Sequence, residues 1–257
     1  TAVGASGGGS SLTGGTTTSD TYFGVGAFQP KQDGTYSGNQ DNTMIGFKTG
    51  FSLSSGEFNT AVGSQALYSA TTAALNTAVG GEALKNTSTG VWNAAFGAGS
   101  MITNTEGDYN TAIGSRAGAS NQTGNDNVYL GYKAGYSALG DRNVFIGHQA
   151  GLDETGSNKL YISNNHDSDL ITGDFSTGDL NLGQINGRVL IMNALDVDGA
   201  ASFNSTLSVS QTLIANGSAH VNNGLYLNGT KLDNENGVLT WDGVAVGSGG
   251  GGDFTVD

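Results

Sequence analysis

The feature that most constrains this chain is a five-residue motif that recurs at a fixed interval. Each copy begins with asparagine, ends with glycine and carries a large apolar residue at its fourth position. The first six asparagines are 17 residues apart and the seventh follows after 16. Fixed short periods are typical of stacked structural units. The motif asparagines are Asn42, Asn59, Asn76, Asn93, Asn110, Asn127 and Asn143.

We number each unit from its asparagine as position 1. Position 3 is apolar, position 4 is large and apolar, and position 5 is glycine, as in Val62-Gly63, Val79-Gly80, Phe96-Gly97 and Ile113-Gly114. Because adjacent strand residues point to opposite faces, this pattern predicts a parallel strand that is buried on both sides. We interpret position 4 as filling the interior of its own coil and position 3 as facing another chain. Val79→Asp should then abolish folding, whereas a change at Thr87, in a predicted loop, should be tolerated.

The invariant residues of the motif have structural roles. Glycine at position 5 permits the positive φ of a sharp corner. Asparagine at position 1 can bond its own turn and stack on the asparagine of the next coil. A unit of 17 residues has no room for a long helix with turns, so the sequence predicts an all-β chain. No binding residue is identified by the repeat itself.

Composition agrees with a thin solenoid and excludes several function classes. The 257 residues include 44 glycines and no cysteine, with 12% charged and 36% hydrophobic residues. Such a chain has too little apolar surface for one thick core, but stacked coils can form from it. The net charge of −13 argues against nucleic acid and anionic membrane surfaces as partners. No apolar run approaches the length of a membrane-spanning helix, so we expect no membrane insertion.

The pattern divides the chain into five segments. Residues 1–41 are Gly-rich, degenerate repeats, in which Asp20 replaces the motif asparagine, and residues 42–157 form the repeat domain. Residues 158–188 form a transition module, and residues 189–230 repeat with a period of six. Two apolar residues and a turn former per hexad predict a triangular β-prism, wound either from one chain or from three. Residues 231–257 contain a hairpin at Asn236-Gly237 and a Gly-rich tail.

The Asn-Thr-Ala-Val-Gly units resemble the head repeats of trimeric autotransporter adhesins, which also occur in phage tail-fibre proteins. The resemblance covers residues 20–162, although the units here are longer than the adhesin type. It implies a left-handed parallel β-roll and an elongated homotrimer. The hexads look like the β-prism shafts of phage fibres. The coiled-coil stalk and membrane anchor of adhesins, and the self-cleaving domain of many fibres, are absent from this sequence.

Candidate chemical groups are few. Paired carboxylates are the catalytic residues of glycan-cleaving tailspikes, but we interpret those here as solvated loop acids. The histidines lack a metal-ligand spacing, although a trimer could gather three copies of one histidine around an ion on its axis. Aromatic residues at positions 10 and 17 are assigned to packing, with a sugar-stacking surface as the alternative. The acids are Asp153, Glu154, Asp167, Asp169, Asp174 and Asp179; the histidines are His148, His166 and His220; the aromatics are Phe51, Tyr68, Tyr136, Phe58, Trp92 and Tyr109.

These observations predict a non-enzymatic, cofactor-free fibre protein of a phage tail or similar appendage. Its expected partners are two further copies of itself, other virion or appendage proteins, and a cell-surface glycan or receptor. Its expected location is the virion or an extracellular surface. Two alternatives remain, a bacterial surface adhesin and a glycan-degrading tailspike.

Overall fold

The computed structural model describes residues 20–27, 41–167, 169–183, 195 and 197, and the strand backbones within 225–245. These residues form strands, turns and connecting segments, and none of them is helical, which confirms the all-β prediction. The chain divides into two units, Thr1–Met192 and Asn193–Asp257, which are described separately.

The first unit is a parallel β-solenoid with one short strand per coil. Residues at the same motif position pair from coil to coil, so that Thr60, Ala61 and Val62 lie beside the same positions 17 residues later. This register confirms the solenoid that the repeat period predicts. The strands are β1 (Thr21–Phe23), β2 (Thr43–Ile45), β3 (Thr60–Val62), β4 (Thr77–Val79), β5 (Ala94–Phe96), β6 (Thr111–Ile113), β7 (Val128–Leu130), β8 (Val144–Ile146) and β9 (Lys159–Ser163).

Hydrogen bonds between coils continue beyond the strands. The N–H of Leu84 donates to the carbonyl of Ser100 at 3.1 Å, and the N–H of Asn86 donates to the carbonyl of Ile102 at 3.2 Å. Equivalent bonds recur in neighbouring coils at the same positions. Each coil is therefore held to the next along more than one wall, which makes a repeated structure stiff along its axis.

The direction of the strand side chains corrects the sequence interpretation. Position 3 is completely buried in every coil from Met44 to Phe145, whereas position 4 is partly exposed, with Phe96 39% and Ile113 43% accessible. The assignment of position 4 to the interior was therefore wrong. Residues two apart in a strand share a face, and the asparagine at position 1 is buried. Position 3 consequently points inward with it, and positions 2 and 4 point outward.

The interior of the coils is filled by positions 3, 8, 9 and 12. The side chains at positions 3 and 9 complement each other in size. Small Ala61 and Ala78 occur with large Leu67 and Leu84, whereas large Tyr129 occurs with Gly135. A Cβ on Gly135 would lie 2.4 Å from the Tyr129 ring, so the large residue of one position occupies the space left by the other. Position 12 includes Thr87, which is fully buried, so the prediction that Thr87 is a tolerant loop site was wrong.

The solenoid ends at an antiparallel hairpin within the predicted transition module. Strand β9 is parallel to β8 but antiparallel to β10 (Asp169–Asp174), and β10 is antiparallel to β11 (Asp179–Leu182). The register places Lys159 at position 1 of the last coil. The amine of Lys159 lies 2.6 Å from a carboxylate oxygen of Asp174, which ties β9 to β10.

The second unit contains a four-stranded antiparallel sheet in which neighbours in sequence pair. Its strands are β12 (Leu225–Leu227), β13 (Thr230–Glu235), β14 (Val238–Trp241) and β15 (Val244–Ala245). Strands β13 and β14 flank Asn236-Gly237, which confirms the predicted hairpin. The β-prism prediction for residues 189–230 falls almost wholly outside the described residues. At its end, β12 pairs with β13, so the terminal sheet begins before residue 231.

Candidate interaction surfaces

The motif asparagines form a continuous buried ladder. The backbone N–H and the side-chain amide of Asn93 donate to Asn76 Oδ1 at 2.9 and 3.1 Å, and the amide also donates to the Gly107 carbonyl at 2.7 Å. Asn110 repeats the pattern on Asn93 Oδ1 at 3.0 and 3.1 Å. Each side chain thus bonds its own turn and the preceding coil, as predicted.

The position 5 glycines are required by both conformation and space. Gly80 has φ +135°, and a Cβ there would lie 2.6 Å from the carbonyl of Gly97 in the next coil. Gly63, Gly97 and Gly114 have the same conformation and similar contacts. Any side chain at this corner would separate neighbouring coils, so these glycines are structural residues.

Positions 2 and 4 of β2–β8 form one outward surface, which we call the strand face. Its position 4 row is apolar in every coil, and Ile45, Phe96, Ile113 and Leu130 each leave 38–43% of their surface exposed. Rows of exposed apolar side chains of this kind are candidates for association, because large contiguous apolar patches on a protein surface mark interaction sites. Val62, Val79, Phe96 and Ile113, placed inside by the sequence interpretation, belong to this surface instead.

A second exposed row lies at position 17, directly before the buried asparagine. Phe58, Trp92 and Tyr109 are 51%, 53% and 58% exposed, and the rings of Trp92 and Tyr109 stack at 6.5 Å. Their backbones adopt positive φ values of 56°, 59° and 57°. These aromatics therefore lie on the outside of the single chain rather than in its core.

Acidic residues converge on a cavity where the solenoid meets the hairpin. The cavity has a volume of about 260 Å³ and is lined by Asp153, Glu154, Tyr161, His166 and Asp169. Tyr161 donates to a Glu154 oxygen at 2.9 Å, and a nitrogen of the His166 ring lies 2.9 Å from an Asp153 oxygen. The Asp153 hydrogen bond raises the pKa of His166, and burial raises the pKa of Tyr161 to about 12.

The interpretation of all six acids as loop residues was wrong in part. Asp169 and Asp174 are the terminal residues of β10, and Asp179 begins β11. Burial raises the pKa of Asp169, whereas the Lys159 hydrogen bond lowers that of Asp174. Asp153 and Asp167 flank the two ring nitrogens of His166.

The structure shows no metal centre in its described part. No group of three histidine or acidic side chains there could hold an ion. His148 stacks on Tyr132 at 5.3 Å, and His166 is held between two carboxylates. His220 lies outside the described residues. No helix in the described ranges is long and apolar enough to cross a membrane.

A repeated hexapeptide was missed by the sequence reasoning. Gly-Phe-Lys-Thr-Gly-Phe at 46–51 and Gly-Tyr-Lys-Ala-Gly-Tyr at 131–136 share the pattern glycine, aromatic, lysine, small residue, glycine, aromatic. In both copies the structure places the lysine between the two aromatic rings. The signal was present in the sequence as an exact pattern match five coils apart.

Comparison with known proteins adds no family assignment. No family model matches the chain, and neither a curated protein nor a solved structure matches it. The inferred function therefore depends on the described geometry and on the residue pattern.

Proposed function

We propose that this chain is a non-catalytic structural segment of a phage tail fibre or similar appendage, built as a homotrimer. The observation that carries the proposal is the strand face, an apolar row left exposed on the outside of a single solenoid. Covering this row with copies of the same chain would remove it from water, at about 25 cal/mol per Å² of apolar surface buried.

The shape of the strand face suits a long contact. Its seven strands, spaced by about 4.8 Å, extend for roughly 30 Å along the solenoid axis. If copies of the chain are related by a rotation that closes, they form a ring of chains around one axis rather than an open filament. The number three and the left-handed winding come from the resemblance of the repeats, and not from the single chain.

The mechanical role follows from the hydrogen bonding between coils. Every coil is bonded to its neighbours through the strand ladder, the asparagine ladder and the turn backbones. Bending such a rod would break several of these bonds at once. The proposed fibre therefore transmits force between the appendage and the cell surface that it contacts.

Mass measurement by light scattering tests the proposal. The chain has a mass of 25.9 kDa, so a trimer should give about 78 kDa. Ile113→Asp should reduce the mass, because it places a charge in the strand face, whereas Thr89→Asp, at an exposed turn, should not. A wild-type mass equal to that of one chain would contradict the proposed trimer.

Cysteine cross-linking supplies an independent measurement. The chain has no cysteine, so Ile113→Cys introduces a single thiol on β6 of the strand face. In the proposed assembly, mild oxidation should link two copies through this thiol, and Thr89→Cys should remain uncross-linked. Equal cross-linking at the two sites would show that the strand face is not the contact.

A bacterial surface adhesin would use the same fold and the same trimer. The two alternatives differ in what the complete protein carries beyond the repeats, a membrane-anchoring barrel or a virion attachment domain. Sequencing the full-length gene and its neighbours separates them.

The acidic cavity favours glycan cleavage as a second candidate function. Glycosidases use two carboxyl groups, of which one carries a proton because its pKa is raised. Asp169 has a raised pKa and shares the cavity with Asp153 and Glu154. Release of reducing sugar from a host polysaccharide, lost in Asp169→Asn and in Asp153→Asn, would establish cleavage. Binding without release would support the passive fibre.

A further inference from the structure

The cations of this acidic chain are unevenly placed. Four of the six lysine and arginine side chains that the structure describes occur at positions 7 and 10, on the turn that follows the position 5 glycine: Lys48, Lys85, Arg116 and Lys133. We call positions 6, 7 and 10 the basic corner. It is formed by residues other than those of the strand face. A chain of net charge −13 thus concentrates positive groups along one edge.

Two clusters on the basic corner combine lysine with aromatic rings. The ammonium of Lys48 lies 5.4 and 5.5 Å from the ring centroids of Phe47 and Phe51. The ammonium of Lys133 lies 5.4 and 5.3 Å from those of Tyr132 and Tyr136. These distances are within the range of cation–π attraction, which orients the ammonium without neutralising its charge.

The rings extend each cluster onto the following coil. Phe51 stacks on Tyr68 at 5.1 Å, and Tyr132 stacks on His148 at 5.3 Å. Phe47 and Tyr132 remain 48% and 43% exposed. Each cluster therefore offers apolar ring surface beside a cation.

The clusters are held by rigid backbone, and their lysines form no ion pair with an acidic residue of the described ranges. The N–H groups of Lys48 and Lys133 donate to carbonyls of the preceding coil at 2.9 and 3.0 Å, with φ values of 52° and 55°. Within the described part of the chain, Lys48, Arg116 and Lys133 form no ion pair, whereas Lys85 is paired with Glu82 at 2.6 Å. The three unpaired cations are available to an external anion.

We infer that the Lys48 and Lys133 clusters of the basic corner bind an acidic polysaccharide, whose carboxylate groups meet the ammonium groups and whose sugar faces meet the rings. The ammonium groups match carboxylates, and the aromatic rings match the apolar C–H faces of sugar rings. The clusters are five coils apart, or about 24 Å at the spacing of parallel strands, so one extended polymer can reach both. Nucleic acid fits less well, because duplex DNA carries one charge per about 1.7 Å, more than the one carboxylate per sugar of an acidic polysaccharide, and the net negative charge of the chain repels the denser charge more strongly.

This inference names the partner class of the proposed fibre and gains strength from its assembly. Three chains would present six clusters, and linked sites bind a polymer more tightly than one site alone. The monomer retains both of its own clusters, so binding and assembly are separable measurements.

Affinity electrophoresis in gels containing polygalacturonate tests the inference, with its fully methyl-esterified form and dextran sulfate as comparison probes. Wild-type protein should be retarded by polygalacturonate and little by the ester, which has the same backbone without charge. Lys48→Gln with Lys133→Gln should weaken binding about tenfold, as expected for loss of charge-assisted contacts. Lys85→Gln is the matched control and should bind as wild type.

Tyr132→Ser with Tyr136→Ser separates a built site from simple ion exchange, because it removes the rings of the Lys133 cluster and keeps every lysine. Weaker binding by this variant, with thermal unfolding unchanged, supports the inference. The inference is overturned if polygalacturonate does not retard the wild-type protein, or if it retards the Lys48/Lys133 variant equally. Tighter binding to dextran sulfate than to polygalacturonate, retained by the tyrosine variant, also overturns it. Light scattering on the same samples shows separately whether the trimer holds.

Discussion

The ring of Tyr129 occupies the space that Gly118, one coil earlier, leaves empty. A Cβ on Gly118 would lie 2.4 Å from Cδ2 of that ring, and Gly118 has a φ of +59°. Two separate constraints, conformation and volume, therefore act on one glycine. The ring of Phe145 fills the space beside Gly151 of its own coil in the same way, so large interior residues are accommodated by glycines at position 9.

Gly118→Ala should destabilise the solenoid by several kcal/mol, because overpacking of a core adds to the cost of positive φ. Gly178→Ala is the matched control, since Gly178 has φ +80° with nothing within 4 Å of the added Cβ. The control should lose only about 1 kcal/mol, the conformational part. Urea unfolding monitored by circular dichroism measures both. Equal losses in the two variants would show that the ring does not limit position 9.

Tyr129→Phe should stabilise the chain. The side chain is fully buried, and its hydroxyl has no hydrogen-bond partner among the described residues. Burial raises the pKa of Tyr129, which shows how poorly the site accepts a charge. Replacing an unsatisfied buried hydroxyl by hydrogen should gain about 1 kcal/mol. The midpoint of urea unfolding should rise relative to wild type, and a fall would indicate a partner for the hydroxyl.

Asn93→Ala should cost about 3 kcal/mol, because it leaves the Asn110 N–H buried without its partner and removes one of the two side-chain amides that donate to the Gly107 carbonyl, the other being that of Asn104. Asn93→Asp keeps the acceptor but places a carboxylate against the Asn76 oxygen and the Gly107 carbonyl. It should therefore be more damaging at pH 7 than at pH 4, where the carboxyl is protonated. Asn86→Ala, at an exposed position, should be silent. Thermal unfolding at the two pH values checks all three variants.

The sequence predicted the ladder and the register well, because both follow from one invariant residue and one period. Which strand side chains face the interior could not be predicted from positions 3 and 4, since both positions are apolar. The deciding signal was the asparagine at position 1. The side chain of Asn76 is buried and hydrogen-bonded inside the solenoid, so Ala78, two residues later, also points inward and Val79 points outward. A buried polar side chain thus specified the face more reliably than apolar size.

The candidate surfaces were harder to predict than the fold. The cavity joins Asp153 of one coil to Asp169 of an antiparallel strand, and no local pattern reports that pairing. In the basic corner, Lys133 meets the ring of Tyr132, which directly precedes it, and the ring of Tyr136, three residues later, across a turn whose positive φ values a sequence does not display. Contacts across turns of unusual backbone therefore escaped a reading based on strand alternation.

The contact between His166 and Asp153 should make the end of the solenoid sensitive to pH. Asp153 holds the pKa of His166 above its ordinary value of 6.5, with Asp167 and Asp169 adding to the negative field. A raised folded pKa gives stability that is complete below the unfolded value and is lost as the pH rises through the folded value. His166→Gln should therefore lower the melting temperature at pH 5.5 but have little effect at pH 8.5.

The matched control for this pH dependence is His148→Gln, because His148 stacks on Tyr132 and forms no ion pair within the described residues. It should not reproduce the difference between the two pH values. A melting-temperature change in His166→Gln that is the same at pH 5.5 and 8.5 would show that the imidazolium does not stabilise the junction.

Neighbouring substitutions in β4 should have opposite consequences. Ala78 is fully buried inside the coil, whereas Val79 belongs to the partly exposed strand face. Ala78→Asp places a carboxylate in the apolar interior and should prevent folding, because an unpaired buried charge costs several kcal/mol. Val79→Asp should keep the strand signal in circular dichroism but reduce the mass, since the charge disrupts only the contact between chains. Loss of structure in Val79→Asp and retention in Ala78→Asp would reverse the assigned faces, and loss in both would show that the coils fold only when assembled.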